Sequence, residues 1–440
     1  MRKIASQLLL VAIMLVAAAG CSKKSNNDSE SLLSTIPADA SSVVMIDLEQ
    51  TLTSLGCKTD GNTITLSDEM RKKIDESKGL SERNKRIFND VCKGETGISI
   101  TSVAFFSAAR SYVTGLLNDP DKFVAYAAGM RKNPNDSTST AAEVTEENGA
   151  RVIGRNTVVI GNQFWLCTEG SADTEQLKYY QNLNDKQSYA SSETAGLLLS
   201  KGKVVTYVAD VKRSFNRMPE SQQMRMAASL MFDDISYIAG SASIEKKSLL
   251  SVSHVLNSKM EPAKLLLPTE KIDPAVVKSL DMSGDLFIAA GLSKKLTEKI
   301  ADALAGVLGA NAGPIATPLR QIDGTAAACI SQKSNAMTAR IETTGKDFAS
   351  LSNLLQMLPG VSVTRDGDVL TVTPGNAVPE GTLNSTEAAD RLKGAWIGLV
   401  ASDMPSKGMN TTALLMPEGK SLTLKIEIEG GTEALLEVLL

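Results

Sequence analysis

Serine followed three residues later by lysine occurs at Ser200/Lys203 and Ser243/Lys246. On a helical turn that spacing brings an amine to a hydroxyl, which is how one class of serine acyl-transferase activates its nucleophile. Both pairs fall on strand or turn sequence, where side chains at i and i+3 face opposite ways. The companion SDN and KTG motifs are missing. The single histidine, His254, lies in an alternating run and shares a face with Leu250, Val252 and Leu256. No GxSxG accompanies it, so a structural histidine, buried or at a sheet edge, is expected. Asp366-Gly367-Asp368 begins like a calcium loop but lacks the other ligands and the closing glutamate; a hairpin turn accounts for it. Met218, Met224, Met226 and Met231 lie at helical spacing beside Phe232, which favours core filling over sulfur ligation. Arg71-Lys72-Lys73 is balanced at once by Asp75-Glu76 and reads as a solvated helix face. No catalytic, metal-binding or cofactor-binding set is assigned.

One residue does have a clear chemical setting. Arg2 and Lys3 precede the apolar run Leu8 to Ala19, which ends in Ala18-Ala19-Gly20-Cys21. The run has the length of a signal-peptide core and is short of the ~20 residues that span a bilayer. Small residues before a cysteine form a lipobox, and the thiol accepts the diacylglycerol. The expectation is a signal peptide over 1–20, acyl lipid on Cys21, and a polar tether over 21–35. Several acyl chains on one residue anchor stably, at about 0.8 kcal/mol per buried CH₂. Ser22 rather than aspartate after the cysteine favours the outer membrane; the periplasmic or surface face stays open.

Removing 20 of 440 residues leaves 420, which calls for more than one core. The leader holds two of the 46 basic residues and no acidic ones, so 44 against 50 gives a mature charge of −6. That charge argues against nucleic-acid binding. Aromatics are 4% of the chain, which disfavours an aromatic platform for sugars. Four cysteines remain: Cys57, Cys92, Cys167 and Cys329. They allow three pairings, of which Cys57–Cys92 is the best; four buried free thiols are preferred over any.

Two local patterns recur. Short apolar strands flow into helices at Val43–Leu48, Val204–Val208 and Leu286–Ala290. In the third, Leu292, Leu296, Ile300 and Leu304 lie on one helix face. Hairpins followed by helices are expected at four places. They run from Ile98 to a helix at Pro120, from Ile235 to a helix over Pro262–Leu267, from Thr325 to a helix through Leu351 and Leu354, and from Leu414 to a closing helix at Thr432. Further hairpins are expected at 361–372 and 151–167. Loops are expected at 133–149 and 374–385, and a fraying helix end and loop over 301–318. The closing helix, with Leu435, Leu436, Val438, Leu439 and Leu440, is expected to dock on the last hairpin. The sum is an α+β fold: antiparallel sheets from repeated β-hairpin–helix units, in two lobes, 36–200 and 201–440. Repetition of this kind points to duplication, although no residues repeat closely enough to establish it.

The mature start, Leu33-Ser34-Thr35-Ile36-Pro37-Ala38-Asp39-Ala40 leading into Val43-Val44-Met45-Ile46-Asp47, resembles the opening of a family of uncharacterised Bacteroidota lipoproteins classed as a domain of unknown function. The hairpin, Asp-Pro and helix around Leu117 to Phe123 is similar too. The resemblance covers roughly the first 130 residues. It implies an envelope location and an α+β fold, and carries no catalytic residue. It also implies that Ser137, in Asp136-Ser137-Thr138, partly matches that phylum's O-glycosylation pattern. The function expected is a non-catalytic envelope lipoprotein. Its partners are membrane lipid through Cys21 and an envelope protein, peptide or glycan held in a groove between the lobes. The rivals are a structural spacer and an envelope hydrolase using a Ser/Lys or carboxylate site.

Overall fold

The computed structural model describes residues 25–60, 63–76, 82–130, 141–215, 231–245, 248–309, 313–331, 333–343, 349–357, 359–375, 377–404 and 408–430. Cys21, Ser137, Lys246, Met218, Met224, Met226 and the segment 431–440 lie outside them.

The fold is α+β and its main sheet is antiparallel throughout. Eighteen strands form it. In the first part of the chain they are β1 (Ser42–Asp47), β2 (Ile98–Ser107), β3 (Ser111–Leu117), β4 (Val144–Glu147), β5 (Ala150–Ile153), β6 (Thr157–Ile160), β7 (Gln163–Cys167), β8 (Val205–Asp210), β9 (Tyr237–Glu245) and β10 (Ser248–Leu256). The rest are β11 (Leu286–Leu292), β12 (Ile322–Ser331), β13 (Ala336–Thr343), β14 (Val361–Asp366), β15 (Val369–Pro374), β16 (Ile397–Ser402), β17 (Asn410–Glu418) and β18 (Ser421–Glu429).

The pairing order of the first part recurs in the second. From β6 the sheet runs β6-β7-β3-β2-β1-β8-β9-β10. From the far edge it runs β14-β15-β13-β12-β11-β16-β17-β18. Each order has the same connectivity. Both long hairpins carry a register break at the same place, between Ile98 and Val103 in β2 and between Ile322 and Ala326 in β12. β4 and β5 extend the first edge and have no counterpart. The two runs join where β10 pairs β18, with Val252 opposite Lys425. Val252 stands four residues beyond Ser248, which closes one hairpin against Glu245. Lys425 stands four beyond Ser421, which closes the other against Glu418. Counterpart therefore meets counterpart about a two-fold pseudo-axis.

Some helices keep the same place relative to the strands. α1 (Ser25–Ser34) precedes β1, α2 (Leu48–Ser54) follows it, α3 (Pro120–Met130) follows β3 and α4 (Ala195–Leu198) precedes β8. α5 (Pro274–Lys278), α6 (Lys294–Leu308), α7 (Ala349–Gln356) and α8 (Ser385–Leu392) stand likewise about β11, β13 and β16, whereas the further helices at Asp68–Glu76, Glu82–Cys92 and Thr174–Gln181 stand in the first part outside this correspondence. Side-chain caps start several of them. Asp47 accepts from Gln50 N–H at 2.8 Å for α2, Ser293 from Leu296 N–H at 3.4 Å for α6, and Asn384 from Glu387 N–H at 2.9 Å for α8. Helices cover both sheet faces. Leu32 and Leu33 of α1 pack with Val43, Met45 and Phe106 on one face. Leu48 and Leu52 of α2 pack with Val103 and Val113 on the other.

Several local expectations are corrected. The tether expected over 21–35 is a helix from Ser25, held down by the buried Leu32 and Leu33. No helix forms over 262–267. Instead Ala263 N–H donates to Val255 O and Leu265 N–H to Lys420 O, so sheet-edge hydrogen bonds win over helix propensity. Of the expected helix face Leu296 is buried, whereas Ile300 is 39% exposed and α6 buries Thr297 and Ala301 in its place. Within the expected loop 133–149, Val144–Glu147 forms β4. Within 374–385, Leu383–Asn384 pairs with Ser283–Gly284. Within 301–318, α6 runs to Leu308 and a short helix spans Gly313–Leu319.

Candidate functional site

β1 ends at Asp47, which leaves the strand and caps α2 in the same step. Its cross-strand neighbour on β2 is Ser102, and Met45 faces Thr206 on β8. α1 brings Ser29 over this end of the sheet, where its hydroxyl lies 2.7 Å from that of Ser102. The turn between α4 and β8 closes the other side with Ser200, Lys201, Gly202 and Lys203. Together these residues and Gln50 line a cleft of about 410 Å³.

Backbone bonds fix the frame. Asp47 N–H donates to Val204 O at 3.0 Å, and Val204 N–H to Ala242 O at 2.9 Å. Thr206 Oγ1 donates to Leu198 O at 2.7 Å. Ser200 Oγ donates to Leu197 O at 3.0 Å. Burial raises the Asp47 pKa; the Gln50 N–H opposes the shift in part, and the Glu49 carboxylate adds to it. Neither Asp47, Lys201 nor Lys203 forms an ion pair among the described residues.

The second half shows what this place becomes where most of the polar side chains are replaced. Gly291 N–H donates to Trp396 O at 2.7 Å and Trp396 N–H to Leu415 O at 2.8 Å, matching the Asp47–Val204–Ala242 chain. The turn glycines also match, Gly202 at φ 74° and Gly394 at φ 84°. In this register Asp47 corresponds to Gly291, Ser102 to Thr325, Ser200 to Leu392, Lys203 to Ala395 and Thr206 to Gly398. Leu392 and Ala395 are fully buried in one apolar cluster. A Cβ on Gly398 would meet methyl groups of Leu392 and Leu414, and one on Gly291 would overlap the Glu270 carbonyl. The Trp396 indole N–H donates to Gly291 O at 2.9 Å. The same scaffold thus packs Leu392 and Ala395 into an apolar cluster in one half and opens a polar cleft in the other, while the Ser102 counterpart Thr325 stays polar, accepting from Asp273 N–H and donating its own N–H to Glu342. The fold does not require that polarity.

The residues singled out in the sequence fall as follows. Ser200 and Lys203 share the cleft, although no hydrogen bond joins them. Ser243 Oγ bonds Glu245 at 3.2 Å instead. His254 is exposed, neither buried nor on a sheet edge, and lies 3.3 Å from Thr423 Oγ1 across the β10–β18 junction. Asp366 closes the β14–β15 turn against Val369 with Gly367 at φ 60°. Met231 packs beside Phe232 in an apolar cluster. Cys57, Cys92, Cys167 and Cys329 are all buried, and no disulfide joins them. Burial pushes Cys57 up to about 11 and Cys92 and Cys329 to about 12, so all three stay protonated at neutral pH. Asp47, Ser102, Ser29 and Thr206 were not singled out in the sequence. The one signal was Asp47, a carboxylate breaking an apolar strand before a helix.

A second cleft, of about 620 Å³, lies among Glu143, Gly154, Arg155 and Gly170. Its backbone is engaged internally: Gly154 N–H donates to Glu143 O and Ala172 N–H to Arg155 O. Among the described residues no group of three His, Cys, Asp or Glu is placed to hold a metal, and no helix is long and apolar enough to cross a membrane.

No family model and no curated protein matches the chain. Among solved structures it is similar to crystal form III of TP0453, at 9% identity over 81% of this chain and 96% of that one, with a TM-score of 0.28. Crystal form I of TP0453 matches at 8% identity over 81% and 95%, with a TM-score of 0.24. Likenesses this loose carry no argument here.

Proposed function

We propose that the chain is a non-catalytic binding lipoprotein, held on the outer membrane by acyl lipid on Cys21, with a small polar ligand held in the cleft of its first half. The body is read as two lobes of one repeated plan, 25–256 and 272–429. This moves the division from residue 200 to the segment after β10. One observation carries the binding reading: the polar lining at Asp47, Ser200, Lys203 and Thr206 is replaced by Gly291, Leu392, Ala395 and Gly398 where the scaffold repeats. Residues kept only for packing would be expected to be apolar in both halves.

Two measurements test it. In detergent partitioning, wild type enters the detergent phase and Cys21→Ser stays aqueous; equal retention of both would sink the anchor. In a thermal-shift screen with a small-molecule extract of the native envelope, wild type gains stability. Ser200→Leu, which copies the filled half, does not. Equal shifts in both would remove the cleft from the account.

A hydrolase remains the second reading because Ser200 and Lys203 line one cleft. Against it, the Ser200 hydroxyl is donated to a backbone carbonyl. Labelling of Ser200 by a serine-reactive fluorophosphonate, lost in Ser200→Ala, would favour the hydrolase.

A further inference from the structure

We infer that the cleft takes a small zwitterion, an α-amino acid or a short peptide, with its ammonium towards Asp47 and its carboxylate towards Lys203. The inference rests on the reading of the cleft as a binding site and adds the chemical class of its ligand.

The argument begins with charge. Asp47 and Lys203 face one cleft with opposite formal charges. They do not neutralise each other: neither forms an ion pair among the described residues. The groups acting on Asp47 are the Gln50 and Glu49 backbone N–H and the Glu49 carboxylate, with no lysine among them. A lone anion would answer Lys203 and be repelled by Asp47. A lone cation would do the reverse. A neutral sugar would leave both charges without partners as it displaced their water, which is costly. A molecule with one charge of each sign satisfies both at once.

The register adds a second point. Asp47 corresponds to Gly291 and Lys203 to Ala395, so the scaffold requires neither charge at these two positions. Lys201 behaves differently. Its counterpart is Lys393, beside a glycine of the same backbone conformation, so it belongs to the turn. Of the three charges lining the cleft, Lys201 is exposed on the turn, and Asp47 and Lys203 are the acid and base that the second half lacks at the same positions.

The hydroxyls complete the lining. Ser29 and Ser102 bond to each other, so one of the two protons is left to donate into the cleft. A volume of about 410 Å³ leaves room for an amino acid or a dipeptide.

Isothermal titration of the full mature chain carrying Cys21→Ser tests this. The probes are glycine, L-alanine, L-alanyl-L-alanine, the last with its amine acetylated, and the last with its carboxylate amidated; N-acetylglucosamine serves as a neutral polar probe. The expected result is that at least one zwitterion binds with one-to-one stoichiometry. Blocking either end of the dipeptide weakens binding by about tenfold or more. Asp47→Asn, which keeps a helix cap, abolishes sensitivity to the amine block. Lys203→Ala, the residue of the second half, abolishes sensitivity to the carboxylate block. Melting curves confirm that both variants fold. Failure of all three zwitterions to bind, or equal binding of blocked and free dipeptide, overturns the inference. If N-acetylglucosamine binds instead and Ser200→Leu abolishes it, the cleft stands and the zwitterion falls. If no binding responds to Ser200→Leu, both fall.

Discussion

Asp47 does two jobs that pull against each other. As a cap it accepts the Gln50 N–H and starts α2. As a lining residue it is half-buried with no cationic partner among the described residues, and burial raises its pKa above the ordinary carboxylate value. An acid whose folded pKa is raised favours the fold while protonated. That benefit is present below the unfolded value and is lost as pH rises through the folded one. At neutral pH the ionised carboxylate is therefore less favourable to the fold than the protonated acid would be. Asp47→Asn keeps the cap and removes the charge. The variant is expected to melt higher than wild type at pH 7, by on the order of 1–2 °C. The gap should close as pH falls towards 4. Melting curves at the two values check this, and a lower melting point for the variant at pH 7 would contradict it.

At the scale of elements, glycine separates positions set by packing from positions that are free. Gly291 on β11 lies under the Glu270 carbonyl, whereas Gly306 in α6 has open space around its Cα. Gly291→Ala should cost about 1–3 kcal/mol through overpacking. Gly306→Ala should stabilise by about 0.5–1 kcal/mol through helix propensity. Denaturant titrations check both, and a neutral Gly291→Ala would break the claim that the second-half site is filled. Elements also show how much could be read beforehand. The hairpins at 98–117, 237–256, 322–343 and 410–429 were legible because alternation and turn residues are local signals. α1 was not legible: its sequence is polar, and it is tied down by Leu32, Leu33 and the Ser29–Ser102 hydrogen bond. The apolar run Leu265-Leu266-Leu267 reads as helix, yet its backbone is bonded to Met231 and Lys420, far away in sequence. The cleft was the least legible feature. Its lining comes from four separate stretches, between Ser29 and Thr206, that sheet pairing and the packing of α1 bring together. Ser200 and Lys203 drew attention for a catalytic spacing that the turn does not use.

Across the whole molecule the repeated strand order explains why the chain can afford a polar cleft. Each half carries its own apolar clusters, and β10 and β18 join the halves with a continuous hydrogen-bond ladder. One half can therefore hold a site while the other stays packed. Little of this repetition survives in residue types. Lys201-Gly202 matches Lys393-Gly394 and Val208-Ala209 matches Val400-Ala401, dipeptides too short to stand out before the register aligns them. The alternation of strand and turn residues follows from the antiparallel sheet and not from identity of residues.

The central claim is that one half holds a ligand and its counterpart does not. Stoichiometry tests it most directly. Native mass spectrometry of the lipid-free Cys21→Ser chain, purified gently from its host, should show a single small polar adduct per chain. The adduct should be absent when Ser200→Leu is added. Two adducts per chain, or one that persists in the Ser200→Leu chain, would contradict the account.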